Sequence, residues 1–597
     1  MAKIEPGSSV YGDEKVVSTR NMITAVFGSQ ENAGRWSTTL SAPIKAMSAT
    51  NLSGVMPLLQ SAEMEARAGN YVALMLAYEA APAFDSALTT RTLDGVPLAW
   101  AAVFANPGQL NNFEPGAYSV GHWNPQISRN EYDQAISNIR ERIASGHTYQ
   151  VNYSFPLKAK FEGAPLAYYR DLCAAQGAQF SAFLNLGRYQ ILSLSPELFF
   201  ERAGDAVRTR PMKGTVRRGR WSAEDKELAA WLVNSRKDQA ENVMIVDLLR
   251  NDLGKVSIPG SVRVNSLFSL EKFQTVWQMT STVESTLRER TSLSELLGAL
   301  FPCGSITGAP KIRTMEILNE LEPNPRGAYT GTIGLIRPGG DCIFNVAIRT
   351  VVIDSHTGEA TFGVGGGITI DSTAGSEYEE CMVKARFLEL RTTPFDLFES
   401  ILLEEGEYFL FERHLQRLKD SAEFFDFSFS EIEIRSSLAN VRNEKSAGSW
   451  KVKLVLSKNG ETSVEMARVE AVTEWRVSLA NRPVDSNNRF LFHKTTQREF
   501  YNSELQACAE CDDVIFFNER GEVTESSVAN VVVKLDGKLI TPQVSSGLLA
   551  GTFRDHLIAE GQIEEGVISL DDLSNATEIY LINSVRKWIK VSLVQTK

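Results

Sequence analysis

The spacing of apolar and polar residues predicts both helices and strands along the chain. Residues 128–143 have helical spacing, and Ser128 with Glu131 three residues later fits a capping box at the start of this helix. Similar patterns predict helices at 241–249 and 376–390. Helices and strands do not alternate regularly, and this favours an α+β fold over a doubly wound parallel sheet.

Strand signals lie between these helices. The apolar run 342–353 predicts one strand, and short apolar runs on either side of Pro259-Gly260 predict a hairpin. Another strand is predicted at 514–517. A second hairpin is predicted around Asp536-Gly537, a dipeptide that favours two-residue turns.

Turn formers divide the pattern into three blocks. Pro394 follows the helical stretch 376–390 and cannot continue it, and a second group of turn formers occupies 108–118. We therefore expect an N-terminal block, 1–115, that supports the rest structurally. A middle block, 120–392, and a last block, 395–597, follow it.

Composition excludes several classes of protein. The 597 residues are 43% hydrophobic and 22% charged, which is ordinary for a globular protein, and the net charge of −12 disfavours nucleic-acid binding. No segment has the ~18 apolar residues that cross a bilayer, and residues 1–17 lack the apolar core of a secretory signal. Cys508 and Cys511 have no second pair with which to hold zinc, so we expect reduced thiols and a cytoplasmic location.

Carboxylates in the middle block are candidates for a metal site. Glu377 and Glu380 share one helix face with Lys384, and Glu241 precedes an apolar run. Three carboxylates suit Mg²⁺, whereas a solvated acidic face explains the spacing equally well. Spacing alone leaves both interpretations open.

Glycine-rich segments in the same block are candidates for anion binding. Residues 362–367 follow a strand, and 302–311 precede a helix, so bare N–H groups in either segment can approach an anion. A tight structural turn is the alternative at 362–367. Arg349 alternates with apolar neighbours and therefore points away from them. Lys213, between Met212 and Gly214, reads by itself as a surface lysine.

Taken together, these segments resemble the chorismate-utilising enzymes over roughly 270 residues. The resemblance rests on motifs that occur in the family's order: SPE (195–197), PMKGT (211–215), AENVMIVDLLRNDLG (240–254), FPCGSITGAPK (301–311), IRT (348–350), GGG (365–367) and EYEE (377–380). It implies the family's two-domain sandwich of sheets and helices. It also implies chorismate as the substrate.

Within that family, one position separates the activities. Anthranilate-forming members carry Ala where this chain has Lys213, and aminodeoxychorismate-forming members carry Lys. The resemblance implies that Lys213 attacks C2 of chorismate, that Glu197 protonates the departing 4-hydroxyl, and that ammonia then enters at C4. It assigns Mg²⁺ to Glu241, Glu377 and Glu380, and the carboxylates of the substrate to Gly308, Arg349, Gly366 and Lys384.

The middle block also departs from its relatives. Gln278 stands where many have His, and Leu335 stands where many have Tyr. No cysteine lies in the context of a glutaminase nucleophile. A separate glutamine amidotransferase subunit is therefore the expected source of ammonia.

The last block resembles fold-type IV pyridoxal-phosphate enzymes, the group of D-amino-acid and branched-chain aminotransferases, over about 200 residues. The matching segments are HLQRL (414–418), HK (493–494), EVTESSVAN (522–530) and LLAGTFRD (548–555). The resemblance implies that Lys494 bonds to the cofactor and shuttles protons, and that Glu525 pairs with the pyridine nitrogen. Arg417, Gly551, Thr552 and Ser584 would hold the phosphate, and a homodimer through this domain is expected.

Chemical adjacency favours a lyase in the last block, because aminodeoxychorismate would be the product of the middle block. Loss of pyruvate from that product yields 4-aminobenzoate, a folate precursor. Fusion to an amino-acid aminotransferase remains the alternative. A regulatory protein that only senses a metabolite is disfavoured, because Lys213, Glu197 and the three metal carboxylates are all present.

Overall fold

The computed structural model describes residues 23–28, 35–108, 116–389, 393–445, 447–470, 472 and 474–594. Residues 1–17, used above for the secretory-signal argument, lie outside them. Two compact units are present: residues 1–217 with 231–392, and residues 218–230 with 393–597. Among the described residues, no helix combines the length and apolar character needed to cross a bilayer.

The first unit is built on two large sheets. Its strands are β1 (Thr24–Phe27), β2 (Thr38–Ser41), β3 (Lys45–Ala49), β4 (Tyr71–Leu76), β5 (Ala99–Phe104), β6 (Tyr118–Val120), β7 (Asn124–Pro125), β8 (Gln150–Gly163), β9 (Phe180–Asn185), β10 (Tyr189–Ser195), β11 (Leu198–Ala203), β12 (Ala206–Arg210), β13 (Met212–Arg217), β14 (Arg263–Lys272), β15 (Val276–Thr286), β16 (Gly308–Ala309), β17 (Thr332–Ile336), β18 (Cys342–Val346), β19 (Thr350–Asp354) and β20 (Glu359–Ile368). One sheet has the order β16-β8-β20-β19-β10-β9-β1-β2, with β6 and β7 beside β8. The other has the order β13-β15-β12-β11-β18-β17-β4-β5-β3, with β14 beside β15.

Helices cover the outer faces of the two sheets. They are α1 (Leu52–Arg67), α2 (Arg129–Ala144), α3 (Pro165–Gln176), α5 (Arg236–Gly254), α6 (Leu293–Leu300), α7 (Lys311–Leu321) and α8 (Ala374–Ala385). Helix α4 (Ser222–Asn234) precedes α5 in the chain, and the division between the two units falls within it. The inner faces share one buried cluster, in which Leu184 and Ile191 of one sheet pack with Ile333 and Leu335 of the other. Because each sheet also packs against helices, the unit is a helix–sheet–sheet–helix sandwich.

The second unit contains a small sheet and a barrel. Its strands are β21 (Leu397–Glu404), β22 (Glu407–Tyr408), β23 (Ser449–Leu456), β24 (Thr462–Arg468), β25 (Glu474–Leu479), β26 (Asp513–Phe517), β27 (Val523–Ser526), β28 (Asn530–Leu535), β29 (Lys538–Pro542), β30 (Glu564–Gly566), β31 (Glu578–Asn583) and β32 (Lys587–Leu593). The small sheet has the order β22-β21-β23-β24, and the larger one has the order β27-β26-β25-β32-β31-β28-β29-β30. Pairing of Glu525 on β27 with Asn530 on β28 closes the larger sheet into a barrel.

The helices of the second unit pack against these two sheets. They are α9 (Phe411–Phe425), α10 (Glu431–Glu444), α11 (Glu499–Ala507), α12 (Thr552–Ala559) and α13 (Leu570–Asn575). Helices α9 and α10 share a buried cluster with β21 and β23 through Leu418, Leu438, Ile401 and Val452. The α+β class expected from the sequence is confirmed.

Several local predictions are confirmed. Helix α2 begins after Ser128, and the reciprocal capping box with Glu131 is formed. The predicted hairpin joins β28 to β29 through Asp536-Gly537, both with positive φ, and the predicted strand at 514–517 lies in β26.

Other local predictions are wrong for identifiable reasons. The run 342–353 forms two strands in different sheets, because the backbone turns at Arg349, whose φ is +50°. The residues before Pro259-Gly260 form no strand partner for β14; Ser257 bridges to Leu287 instead. The glycines at 363–367 lie inside β20. Cys508 and Cys511, expected as reduced thiols, are joined in a disulfide, because their Cα atoms lie 5.6 Å apart.

Candidate active sites

Lys213 occupies a β-bulge at the edge of the second sheet of the first unit. The pairing of β13 with β15 shifts register between Met212 and Thr215, and Gly214 has a φ of +92°. A bulge re-aims side chains out of the regular alternation, and glycine adopts this φ without strain. Burial lowers the pKa of the Lys213 amine, whereas the carboxylates of Glu241 and Glu197 oppose that shift.

Glu197 lies in the two-residue link between β10 and β11, where the chain passes from one sheet to the other. Its side chain is 3% exposed, and burial raises its pKa to about 7 even though Ser305 and Lys213 act in the opposite sense. Ser305 Oγ donates a hydrogen bond of 2.7 Å to Glu197 Oε1. The charges of a buried acid and a half-buried lysine therefore influence each other at this point.

The charges of neighbouring carboxylates affect the pKa values of the three expected metal ligands. Burial raises the pKa of Glu241 and Glu377, and repulsion from a neighbouring carboxylate adds to the rise in each case. Glu380 instead pairs with Lys384 at 2.8 Å, and this cation lowers its pKa. Nowhere in the described ranges are three or more His, Cys, Asp or Glu side chains gathered closely enough to hold a metal ion.

The four residues expected to bind the substrate's carboxylates differ in their contacts with the expected metal ligands. Lys384 donates 2.9 Å to the Gly365 carbonyl oxygen, and a Cβ on Gly366 would lie 3.2 Å from Glu377 Oε2. Gly308 has a φ of +136° beside β8. Arg349 contacts Gln176, and burial lowers its pKa to about 10. No ion pair of Arg349 is found among the described residues, and no contact joins it to Lys213.

The two departures from the relatives have different surroundings. Gln278 accepts a hydrogen bond of 3.0 Å from Thr215 Oγ1 and donates one of 3.1 Å to the Gly214 carbonyl oxygen. It therefore stabilises the bulge that carries Lys213. Leu335 is 1% exposed in the core between the two sheets. It therefore packs the sandwich.

The second unit places Lys494 over the small sheet. Its Nζ lies 4.8 Å from the centre of the Phe398 ring, and its carbonyl oxygen accepts 3.0 Å from Phe398 N. Burial lowers the pKa of Lys494 to about 7, and the cations Arg417 and Arg498 contribute to the shift. This amine is partly neutral near pH 7.

Glu525 lies at the pairing that closes the barrel. It is 7% exposed, and its carboxylate accepts hydrogen bonds of 2.8 Å from Tyr501 Oη and 3.2 Å from Leu549 N. Burial raises its pKa to about 7 in spite of these donors.

Arg417 and Thr552 are brought together around a buried carboxylate, and Arg417 also reaches the residue before Gly551. Arg417 donates 2.9 and 2.7 Å hydrogen bonds to the two oxygens of Glu399, and its remaining guanidinium nitrogen donates 3.1 Å to the Ala550 carbonyl oxygen. His414 bridges Glu399 at 2.7 Å and Thr552 Oγ1 at 3.1 Å. Although burial alone would raise it, Arg417 and His414 hold the pKa of Glu399 at about 2.

The remaining phosphate candidates differ in their contacts. Gly551 caps α12, and a Cβ there would overlap Oδ1 of Asn530. Ser584 is buried and donates 3.3 Å to the Ser400 carbonyl oxygen on the small sheet. Among the described residues, no hydrogen bond joins it to Arg417 or Thr552.

Sequence reasoning missed the residues that support these groups. Ser305 is 108 residues from Glu197, and no local spacing announces their contact. Glu399 and His414 lie in the same segment as Arg417, but their pairing depends on how α9 packs on β21. The FES segment (398–400), where an acidic residue interrupts a strand of buried residues, was an available signal.

Comparison with known proteins matches two separate ranges of the chain to two different family models. Residues 108–389 match the family model of chorismate binding enzymes, and residues 396–594 match that of class IV amino-transferases. Over 262 residues the chain is 43% identical to aminodeoxychorismate synthase component 1 of Salmonella typhimurium, covering 44% of this chain and 57% of the relative. The Bacillus subtilis protein of the same name is 40% identical over 276 residues, with 46% and 58% covered.

A solved structure supports the fold of the first unit. Anthranilate synthase component I from Streptococcus pneumoniae superposes with a TM-score of 0.52 at 25% identity, covering 59% of this chain and 91% of that one. The chain thus spans a little more than half the length of the two curated relatives. It carries a chorismate-binding domain followed by a class IV amino-transferase domain.

Proposed function

We propose that this chain, in which a chorismate-binding domain precedes a class IV amino-transferase domain, makes 4-aminobenzoate from chorismate and ammonia. The first domain would aminate chorismate to 4-amino-4-deoxychorismate, and the second would release pyruvate from that intermediate. The observation that carries the proposal is that a β-bulge holds the half-buried Lys213 within electrostatic reach of the buried acid Glu197.

The first step needs a neutral amine and a protonated acid. Burial favours the uncharged form of both groups, because it lowers the pKa of Lys213 and raises that of Glu197 to about 7. Lys213 Nζ forms a bond to C2, both ring double bonds shift (C1=C2 to C1=C6 and C5=C6 to C4=C5), and the C4–O bond breaks. Glu197 gives its proton to the leaving hydroxyl, which departs as water.

The second step reverses the first with a different nucleophile. Ammonia bonds to C4, both double bonds shift back to C5=C6 and C1=C2, and the C2–N bond to Lys213 breaks. Lys213 and Glu197 thereby return to their starting state once the excess proton of the incoming ammonia is taken up by Glu197. Splitting one displacement of a poor leaving group into two steps is the advantage of a covalent route.

The carboxylates near Lys213 are of the kind that Mg²⁺ prefers, but in the described residues they are not gathered closely enough to hold the ion without a ligand from the substrate. Glu241, Glu377 and Glu380 would supply carboxylate oxygens, and a bound cation would offset the burial, and the smaller repulsion from neighbouring carboxylates, that raise the pKa of Glu241 and Glu377. These three residues would hold the ion, which supplies positive charge for a substrate carboxylate. Gly308, Arg349, Gly366 and Lys384 would bind the substrate's carboxylates.

The residues of the second domain fit pyridoxal phosphate. Glycine at 551 lets the backbone approach Asn530 more closely than a Cβ would allow, and Glu399 and the Ala550 carbonyl oxygen hold Arg417 beside the segment that begins α12. Arg417, Gly551, Thr552 and Ser584 would hold the phosphate, and Glu525 would hold a proton at the pyridine nitrogen. When bound, this cofactor supplies an electron sink. Lys494 Nζ would take the proton from the amine-bearing ring carbon and return one to the departing enolpyruvyl group.

The organisation of the whole protein is part of the proposal. Residues 1–115 would support the sheets, 120–392 would carry the amination site and 395–597 would carry the lyase site. A glutamine amidotransferase subunit would supply ammonia, as the name component 1 of the relatives suggests. A homodimer through the second domain, a cytoplasmic location and the absence of nucleic-acid and membrane partners remain predictions.

A second candidate function is fusion of the synthase to an amino-acid aminotransferase, because the matching family model is named for amino-transferases. The two candidates differ in their products. The lyase yields 4-aminobenzoate and pyruvate, whereas the aminotransferase converts a 2-oxo acid to an amino acid.

One assay tests both steps. Purified protein is incubated with chorismate, ammonium, Mg²⁺ and pyridoxal phosphate, and products are separated by chromatography. We expect 4-aminobenzoate and equimolar pyruvate, and no product when glutamine replaces ammonium. Accumulation of aminodeoxychorismate in cofactor-loaded protein would contradict the lyase assignment, and glutamine-dependent turnover would contradict the need for a separate subunit.

A further inference from the structure

Gln150 has a buried side-chain amide without a hydrogen-bond partner. It is the first residue of β8 and is 2% exposed, yet neither Oε1 nor Nε2 has a partner among the residues that the structure describes. Buried side-chain amides are nearly always hydrogen-bonded, because leaving them unpaired costs free energy. Both ends of this amide are therefore available to groups that arrive with a ligand.

The amide lies next to the Lys213 amine. A Cβ on Gly367 would overlap Gln150 Nε2 and would lie 3.2 Å from Lys213 Nζ. The amide and the amine thus border the same point in space, on the side-chain face of Gly367. Only a glycine at this position leaves room for both.

The backbone of Gln150 is fixed by strands on both sides. Val151 pairs with Gly308 on one side and with Ile368 on the other, so β16 and β20 flank the start of β8. A Cβ on Gly308 would overlap the Gln150 carbonyl oxygen, which also accepts 3.2 Å from Thr148 Oγ1. Gln150 is therefore held between the two glycine segments to which we assign the substrate's carboxylates.

We propose that Gln150 is a positioning residue for the Lys213 nucleophile and a contact for the substrate. With the side-chain amide turned so that Oε1, and not Nε2, borders Gly367, Oε1 accepts one N–H of the neutral amine and directs the nitrogen lone pair at C2 of the ring. Its Nε2 donates to an oxygen on the ring carbon next to the point of attack. This inference rests on the proposed amination of chorismate and adds no bond-making step to it.

Two substitutions with a matched control test this role. Gln150→Leu keeps the approximate size and removes both polar atoms, and Gln150→Glu places a carboxylate beside the amine. Gln190→Leu is the control, because Gln190 is a buried amide of the same unit that bonds within its own hairpin, 2.9 Å from the Gly187 carbonyl oxygen. The readouts are kcat and KM for ammonium-dependent amination, and the dependence of kcat on pH.

We expect Gln150→Leu to lower kcat at least about tenfold, the usual loss when a hydrogen bond to a reacting group is removed. We expect Gln150→Glu to move the acid limb of the kcat profile to higher pH, because a carboxylate stabilises the protonated amine. Gln190→Leu should retain the wild-type profile. If Gln150→Leu does not fold, the position of the acid limb in the kcat profile of Gln150→Glu tests the role of Gln150.

Two results would overturn the role of Gln150 while leaving the amination intact. These are a folded Gln150→Leu with wild-type kcat and KM, or a Gln150→Glu whose acid limb does not move. Absence of amination in the wild-type protein would overturn the proposed function itself, and the inference with it. The wild-type control therefore distinguishes the two failures.

Discussion

Lys213, half-buried in a β-bulge, and Glu197, a buried acid, influence each other's charge, and their pKa values shift in opposite directions. Burial raises the pKa of Glu197 to about 7 and lowers that of Lys213, although each charge favours the charged form of the other. Desolvation therefore outweighs the attraction between the two groups. Both groups gain the uncharged form that nucleophilic attack with proton donation requires.

Glu197→Gln should lower kcat for amination about 10²-fold or more, the usual contribution of a general acid. Because Glu197 must be protonated, wild-type kcat should fall as pH rises through about 7, and this limb should be absent in the variant. The measurement is the pH profile of ammonium-dependent turnover.

Glu79→Gln is the matched control for that profile. Glu79 is 3% exposed with a pKa raised by burial to about 7, but it accepts hydrogen bonds from the backbone of Arg326 and Gly327, not from a reacting group. If Glu79→Gln removes the limb and Glu197→Gln keeps it, Glu197 is not the acid.

Gly367→Ala should impair amination strongly, because a methyl group there would overlap the Gln150 amide and approach Lys213 Nζ. Gly254→Ala should leave turnover unchanged, since a Cβ at that position meets no atom within 4 Å. Steady-state kinetics of both variants checks this. Equal activity of the two alanine variants would mean that the space beside Gly367 is not used.

Glu399→Gln should weaken retention of pyridoxal phosphate, because it removes the charge that orients Arg417 and His414. Breaking a buried ion pair typically costs about 3–5 kcal/mol, so the melting temperature of the second unit should also fall. Cofactor absorbance after gel filtration and thermal unfolding measure the two effects. Glu504→Gln, which removes the half-exposed pair with Arg482, is the control.

The same carboxylate predicts an acid dependence of stability. The pKa of Glu399 is about 2 in the folded protein and about 4.3 in an unfolded chain. A lowered folded-state pKa adds stability that is complete above about 4.3 and is lost as pH falls toward 2. Wild-type protein should lose this increment on acidification, and a Glu399→Gln variant with an unchanged acid dependence would count against the pairing.

Lys494→Ala should stop 4-aminobenzoate formation and let aminodeoxychorismate accumulate, because the amination residues lie in the other unit. Chromatography of the reaction mixture detects both compounds. Lys538→Ala, on an exposed pair with Glu564, should behave as wild type. Formation of 4-aminobenzoate by Lys494→Ala at the wild-type rate would exclude Lys494 from the second reaction.

Local sequence signals predicted local structure well. The Ser128–Glu131 capping box and the Asp536-Gly537 turn depend on residues three or fewer apart, and both are confirmed. The strand at 342–353 failed because Arg349 takes a left-handed conformation that no apolar pattern indicates. The glycines at 363–367 resembled a loop because their place in β20 depends on pairing with β8, some 200 residues earlier.

The prediction of site residues was also limited to what local sequence signals and motif order indicate. Motif order indicated Lys213 and Glu197, but not that a bulge and Gly214 aim the amine, nor that Ser305 holds the acid. Gln150 carries no signal in its own segment. Its importance follows from a close approach to Gly367, which only the folded chain creates.

The most direct test of the account is intact-protein mass spectrometry of the wild-type chain mixed with chorismate and Mg²⁺ without ammonium. We predict an adduct with the mass of chorismate less one water, located by peptide mapping at Lys213 and absent from Lys213→Ala, which should also lose amination. An adduct at another residue, or a Lys213→Ala variant that still aminates chorismate, would contradict the account.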